Sequence, residues 1–217
     1  MSMVPLLQFQ HLVRVHVPKA PVPMIEQTLR LAAIEFCEKT RAWRQISTVT
    51  LSRQGQAIVA PSFASIFEIE NATWGEGVEL TPTQYSDVSQ AEFIENATPE
   101  YITQVNPDTV SVVPFQEGKL VLSVFLRPRH DREFETNDKG LPEDIYARVP
   151  AFLYTQHAEA ISFGALYRLF LMPGKEWTSP ELAAYYRGAF TDACDSHFTS
   201  NVEGQHNAPL RADAQWF

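Results

Sequence analysis

The run AFLYTQHAEAISFGALYRLFLMPGKEWTSPELAAYYRGAF, residues 151–190, carries the strongest structural signal in the chain. Two helical patterns flank a short Pro-Gly break. In the first, Phe152, Leu153, Ala160, Ile161, Ala165, Leu166 and Leu169 recur at three- and four-residue spacing, which places them on one broad helical face. Gly164 inside that helix costs about 1 kcal/mol relative to alanine. Close approach of a second helix would offset the cost, and Ala160 one turn away leaves the same room. Met172-Pro173-Gly174 stops the helix. Thr178 or Ser179 can cap the next one, with Pro180 in its first turn and Glu181 placed three residues after Thr178, as a capping box requires. Leu182, Tyr185, Tyr186, Ala189, Phe190 and Ala193 continue as an apolar stripe. This spacing predicts a helix hairpin that forms the core of a bundle.

A third helix is expected over residues 24–39, opening near Pro23. Ile25, Leu29, Ala32, Ala33, Phe36 and Cys37 share one face, and Gln27, Arg30, Glu38 and Lys39 avoid it. Before it, residues 6–17 interleave apolar and polar side chains, and Leu12, Val13, Val15 and Val17 read as a strand or extended arm.

After Trp43 the period changes from helical to alternating. Strands are expected at 46–51 and 57–60, with a turn at Gln54-Gly55-Gln56 between them. Strands at 65–70 and 78–80 should be joined through Trp74-Gly75-Glu76-Gly77. Residues 81–91 read as a loop or a single helical turn. Three strands at 101–105, 109–113 and 119–127 read as a meander, and the near-continuous Leu120, Val121, Leu122, Val124, Phe125 and Leu126 predict that both faces of the last are covered. Residues 127–140 read as a mobile loop, and Leu141-Pro142 with Glu143 and Asp144 as the start of a helix that Pro150 kinks or interrupts. From about Asn201 a polar tail leads to Trp216 and Phe217.

The expected fold is therefore α+β: a helical bundle with an inserted β-rich, sandwich-like domain and an extended C-terminal arm. The divisions are 1–45 for the N-terminal arm and first bundle helix, 46–140 for the inserted domain, 141–200 for the remaining helices and 201–217 for the arm.

The chain has 217 residues and a formal charge of −9 without a basic run, which disfavours tight binding to nucleic acid. Cys37 and Cys194 sit in helical patterns and read as buried thiols. The start lacks a basic-then-apolar leader and no apolar run approaches the roughly 18 residues of a membrane span, so export and membrane insertion are not expected. The six histidines, among them His11, His16, His157 and His197, form no HExxH, and there is no Cys-x-x-Cys. Ser162-Phe163-Gly164 lies inside a helix, where a nucleophile elbow cannot form, and Gly174-Lys175 is no phosphate loop. Glu133 with Glu135 and Glu143 with Asp144 read as solvated or dipole-stabilising charge. No catalytic, metal or cofactor site is expected. Trp43, Trp74, Trp177 and Trp216 are scattered, which favours packing between bundle and sheet over a sugar-binding face.

Three runs in order, APVPMIEQTLRLAAIEFCEKTRAWR from Ala20, ATPEYITQVNPDTVSVVPFQEGKLVLSVFLRP from Ala97, and LPEDIYARVPAFLYTQHAEAISFGALYRLFLMPGKEWTSPELAAYYRGAF from Leu141, together resemble tailed-bacteriophage head-to-tail adaptor proteins. These are also called connector or tail tubular protein A-like. The resemblance implies a non-enzymatic virion protein, made in the host cytoplasm. It would form a ring, commonly of twelve copies, that joins the portal protein to the tail or nozzle protein and continues the DNA channel. The polar arm with its aromatic tip makes Leu210, Arg211, Trp216 and Phe217 the candidates for docking between portal subunits. Tyr167, Arg168 and Arg187, on the outside of the hairpin, are the candidates for contact between neighbours in the ring. The acidic balance predicts a lumen through which DNA passes without specific binding. The alternative is a β-sandwich module that binds a glycan or a host surface, which would need an exposed aromatic cluster on one face.

Overall fold

A computed structural model describes residues 2–52, 56–87, 97–129, 135–136, 142–143 and 148–203. In chain order the elements are β1 (Met3–Pro5), a 3₁₀ turn (Leu6–Phe9), α1 (Gln10–Arg14), α2 (Val22–Thr40), β2 (Arg44–Leu51), β3 (Ala57–Ile58), β4 (Ala64–Trp74) and β5 (Val78–Pro82). A second 3₁₀ turn (Tyr85–Asp87) precedes β6 (Tyr101–Asn106), β7 (Thr109–Val113), β8 (Gly118–Pro128), β9 (Glu135–Thr136), β10 (Pro142–Glu143), β11 (Arg148–Pro150), α3 (Ala151–Phe170) and α4 (Pro180–Glu203). The fold is mixed α+β.

α2, α3 and α4 pack on one another. The six apolar residues read onto the inner face of α2 are all fully buried. Arg30 departs from the reading: it is only 7% exposed, held by Glu26 one turn back at 3.4 Å. α4 buries Ala183, Tyr186, Phe190 and Cys194, whereas Leu182 and Tyr185 are exposed. The inner stripe thus runs along 183, 186, 190 and 194, about one position round the helix from the expected one. Ser179 takes the cap, accepting from the Leu182 N–H at 3.4 Å, while the Thr178 hydroxyl accepts from the Lys175 N–H and donates to the Met172 carbonyl.

The N-terminal stretch is a correction. Only Met3–Pro5 is strand, and it pairs with β11. The chain then turns helical because Leu6, Phe9, Val13 and Val17, at three- and four-residue spacing, can all be buried together, while Val15 is left 79% exposed. The helix expected from Leu141 is also corrected. Pro142–Glu143 is strand paired with β9, Arg148–Pro150 is strand, and α3 starts only at Ala151. Leu141 and Val149 each precede a proline, which disfavours helical backbone, and Pro150 (φ −53°, ψ 137°) becomes the residue before the helix. Arg127 and Pro128 complete β8, and Glu135–Thr136 is strand, so the loop expected there does not span 127–140; residues 130–134 and 137–141 lie outside the described residues, as do the turn at 53–55 and residues 88–96.

Seven strands form one sheet in the order β2-β8-β4-β5-β6-β7-β3. Its two ends meet, with Gln45 Nε2 donating to the Val59 carbonyl at 2.9 Å, so the sheet curls almost closed. This replaces the two-layer sandwich with a single curled sheet. The meander is reduced to the β6–β7 hairpin, because β8 leaves it to pair with β2 over eight residues and with β4 over most of its length. Leu120, Leu122, Val124 and Leu126 of β8 face the interior. On its other face Phe125 is covered by the guanidiniums of Arg41 and Arg44, 5.5 and 5.1 Å from the ring centre, rather than by a second sheet. The Gly75–Gly77 turn joining β4 to β5 forms as expected, with both glycines at positive φ. Buried residues of helices and sheet make one continuous apolar cluster.

Candidate interaction surfaces

The geometry of the helical layer begins at Gly164. A Cβ built there would stand 2.8 Å from Ala32 Cβ on α2 and 2.9 Å from Phe190 Cε2 on α4. The absent side chain is therefore what lets three helices converge at one point, as the sequence implied for two.

Beside this point a charged cluster ties α2 to α3. Glu35 accepts hydrogen bonds from Arg168 Nη2 and from the Tyr167 hydroxyl at 3.0 Å, and pairs with Lys39 at 2.8 Å. Arg168 Nη1 also donates to the Gly164 carbonyl at 2.7 Å. Burial alone raises the Glu35 carboxyl, but the hydrogen bonds from Lys39, Arg168 and Tyr167 and the Arg168 charge outweigh it and hold it below the ordinary carboxylate range. Of the three residues singled out for contact between copies, Tyr167 and Arg168 are thus already engaged inside one chain. In sequence Glu35 reads as a solvated carboxylate on a helix flank; its one signal there is Lys39 four residues on.

Arg187 is different. It stands exposed on the outer side of α4, along a shallow groove of about 470 Å³ with Leu171, Ala184, Gly188, Thr191 and Asp192. Leu182 and Tyr185, 44% and 68% exposed, lie on the same helix. Gly188 has open space where a Cβ would sit. Leu210, Arg211, Trp216 and Phe217 lie outside the described residues.

Among the described residues no group of three His, Cys, Asp or Glu side chains could hold an ion. His157 and His197 do meet, edge to face with ring centres 4.5 Å apart, against Phe36. His157 Nδ1 is buried without a partner, and burial, with the nearby His197 charge, lowers its pKa to about 4. Cys37 and Cys194 are buried free thiols. Burial pushes both upward, Cys194 to about 12, which keeps them unreactive. The side chains of Glu133, Glu135, Glu143 and Asp144 lie outside the described residues.

The tryptophans pack. Trp43 is 2% exposed, stacked over Phe63 at 6.1 Å and edge-on to Phe152 at 6.4 Å, so it joins the sheet to α3. Trp74 is buried against Gly118. Trp177 is half-buried in the α3–α4 connection, and Trp216 is outside the described residues. Among the described residues, the sheet carries no exposed tryptophan. Among them too, no helix is long and apolar enough to cross a membrane.

Among known protein families, the chain matches the family model described as SU10 adaptor protein over residues 6–213. No curated protein matches the chain.

Proposed function

This chain belongs to the SU10 adaptor protein family, a phage head-to-tail adaptor family, and from that we propose that it is a structural, non-catalytic component of the virion that forms a ring between portal protein and tail or nozzle protein. The observation that carries the reading is the extent of the match, which takes in helices, sheet and most of the C-terminal arm. Twelve copies surround the axis, and the acidic balance of the chain lets DNA pass without specific binding. The helices and the segment 46–140 inserted between α2 and α3 are its two parts, and residues 201–217, the first three of which still belong to α4, are the arm. Leu210, Arg211, Trp216 and Phe217 dock that arm on the portal.

Among the hairpin residues, Arg187 is the one with a side chain open to a neighbour. Tyr167 and Arg168 act at a distance, by fixing α3 against α2 through Glu35. The buried Trp43 and Trp74 give no support to a glycan-binding face on the sheet.

A reconstruction of the intact particle tests the reading. A ring of this chain directly below the portal is expected; its absence from the head–tail junction overturns the proposal. Deleting residues 207–217 should abolish occupancy on filled capsids, and normal occupancy would remove the docking role of the arm. A lumen lined mainly by Lys and Arg would refute the passive channel.

A further inference from the structure

Cys194 is the last described residue of α4 to be buried. Past it the helix continues to Glu203, but of residues 195–201 none is buried, and Ser196, Phe198, Thr199 and Ser200 are exposed. His197 and Asn201 tie this end to the other two helices. The His197 ring meets His157 of α3 edge to face, 4.5 Å between centres, and Phe36 of α2 at 5.6 Å. Asn201 Nδ2 donates to the Thr40 carbonyl, at the end of α2, at 3.0 Å.

His157 is the centre of this contact. Its ring lies among Phe36 at 4.8 Å, Phe152 at 6.2 Å and His197, and its buried Nδ1 has no hydrogen-bond partner. A proton added to that ring would find neither water nor an acceptor at Nδ1, and a proton on His197 as well would put two like charges in contact. Nothing on the facing elements offsets such a charge among the described residues. Phe36 of α2 and Phe152 of α3 carry none, and the one charge that acts on His157 is that of His197 of α4. On α2, Glu35 is taken by Arg168 and Lys39, and Glu38 by Arg127. Glu159 and Asp195, two residues from each histidine, stand exposed roughly 200° round their own helices. Lifting the end of α4 would bring water to His157 while the Gly164 contact with Ala32 and Phe190 stays in place. A helix end with so little buried side chain is the cheapest part of the layer to open.

We propose that His157 and His197 form an acid-sensitive latch: while both are neutral they hold the end of α4 against α2 and α3, and protonation of the pair releases residues 195–203 with the rest of the fold still closed. The covered His157 ring takes a proton only near pH 4, the uncovered ring near 6.5, so the open form gains as pH falls below 6.5 and the gain levels off below 4. The latch does not depend on the adaptor reading. On that reading, the released segment is the root of the C-terminal arm, and the latch sets how firmly the arm is anchored.

Amide hydrogen exchange of the isolated chain at about pH 7.5 and about pH 5 tests this, with rates expressed as protection factors so that the intrinsic pH dependence of exchange cancels. After allowance for the partial exposure of His157, the amides of 198–201 should lose about tenfold in protection at the lower pH. Those of 160–166 in α3 should keep theirs. The His157 ring protons, followed by NMR, should titrate in step with that loss. His157→Phe and His157→Leu remove the titrating group and keep an apolar contact with Phe36, and in either variant protection of 198–201 should be the same at both pH values. Unchanged protection in the unaltered chain, an equal loss along all three helices, or a pH effect that persists in the variants overturns the latch.

Discussion

Gly164→Ala is the most discriminating single change in the helical layer. The new methyl would meet Ala32 Cβ at 2.8 Å and Phe190 Cε2 at 2.9 Å, with Cδ2 of the same ring at 3.1 Å. Carbon atoms at rest stand about 3.5–4.0 Å apart, so roughly 0.7–1 Å must be found on two sides at once. The Phe190 ring can tilt. Ala32 cannot yield, because its Cβ is fixed to the backbone of α2, which is pinned along its length by fully buried Ile25, Leu29 and Phe36. Overpacking of this kind costs about 1–3 kcal/mol, against which alanine recovers about 1 kcal/mol of helix propensity. The expected net effect is a loss of up to about 2 kcal/mol.

Gly188→Ala is the matched control on α4, because nothing lies within 4 Å of its Cβ position. It should gain about 0.5–1 kcal/mol from propensity alone. Urea denaturation should therefore separate the two alanine variants by about 2 kcal/mol, or roughly 4–8 °C in melting temperature for a chain of this size. Phe190→Leu in the Gly164→Ala background should recover part of the loss, with a coupling of at least about 0.5 kcal/mol. Equal stability of the two alanine variants would refute the close three-helix contact.

Glu35→Gln should destabilise the chain by about 1–2 kcal/mol, since Arg168 and Lys39 lose their charged acceptor, and chemical denaturation reads it directly. His157 gives a pH signature. Its pKa falls from 6.5 unfolded to about 4 folded, so the unfolded chain binds the extra proton, and stability is complete above pH 6.5 and lost as pH falls towards 4. After solvent screening the loss is about 1–2 kcal/mol, and His157→Phe, which can pack on Phe36 and His197, should abolish that share of the acid sensitivity. Arg30→Met should be neutral or stabilising by about 1 kcal/mol, because Arg30 Nε is buried without a partner and its ion pair with Glu26 is long; a marked loss of stability would show the pair to be essential. Arg187→Glu should leave the isolated chain folded and reduce ring assembly, seen by electron microscopy.

The inner face of α2 and the role of Gly164 were legible because a helix that buries one side writes its period into the sequence. Where apolar residues flank the true stripe, as Leu182 and Tyr185 do beside Ala183 and Tyr186, the period leaves an ambiguity of one position that only packing resolves. The β-branched alternation at Val13, Val15 and Val17 mimicked a strand, and burial of Leu6 and Phe9 with Val13 and Val17 overrode it. Strand positions were largely readable, but the order of the sheet was not. β8 pairs with β2 across about seventy residues of intervening chain, and no local pattern encodes such a partner. The sequence marks Arg168 as an outward residue, but its partner Glu35 lies on another helix and only the packing brings the two together.

The helical layer and the sheet meet through three residues. α2 ends at Thr40 and β2 begins at Arg44, and Arg41 makes the turn in the left-handed region at φ 51°, its N–H closing the helix on the Cys37 carbonyl. A side chain with a Cβ is strained there, and Arg41 is held by Glu68 on β4 and by the Phe125 ring. Trp43 buries its ring between Phe63 and Phe152 while its carbonyl accepts from the Leu126 N–H at 2.8 Å. From the other side, Arg127 of β8 reaches Glu38 of α2, and Asn201 of α4 donates to the Thr40 carbonyl at 3.0 Å. A link so short, anchored by the buried Trp43, transmits displacement instead of absorbing it. Any rotation of α2 must carry β2, β8 and β4 with it. In the proposed ring, a neighbour that grips the helices would therefore bear on the sheet as well, through α2, β2, β8 and β4 of one chain.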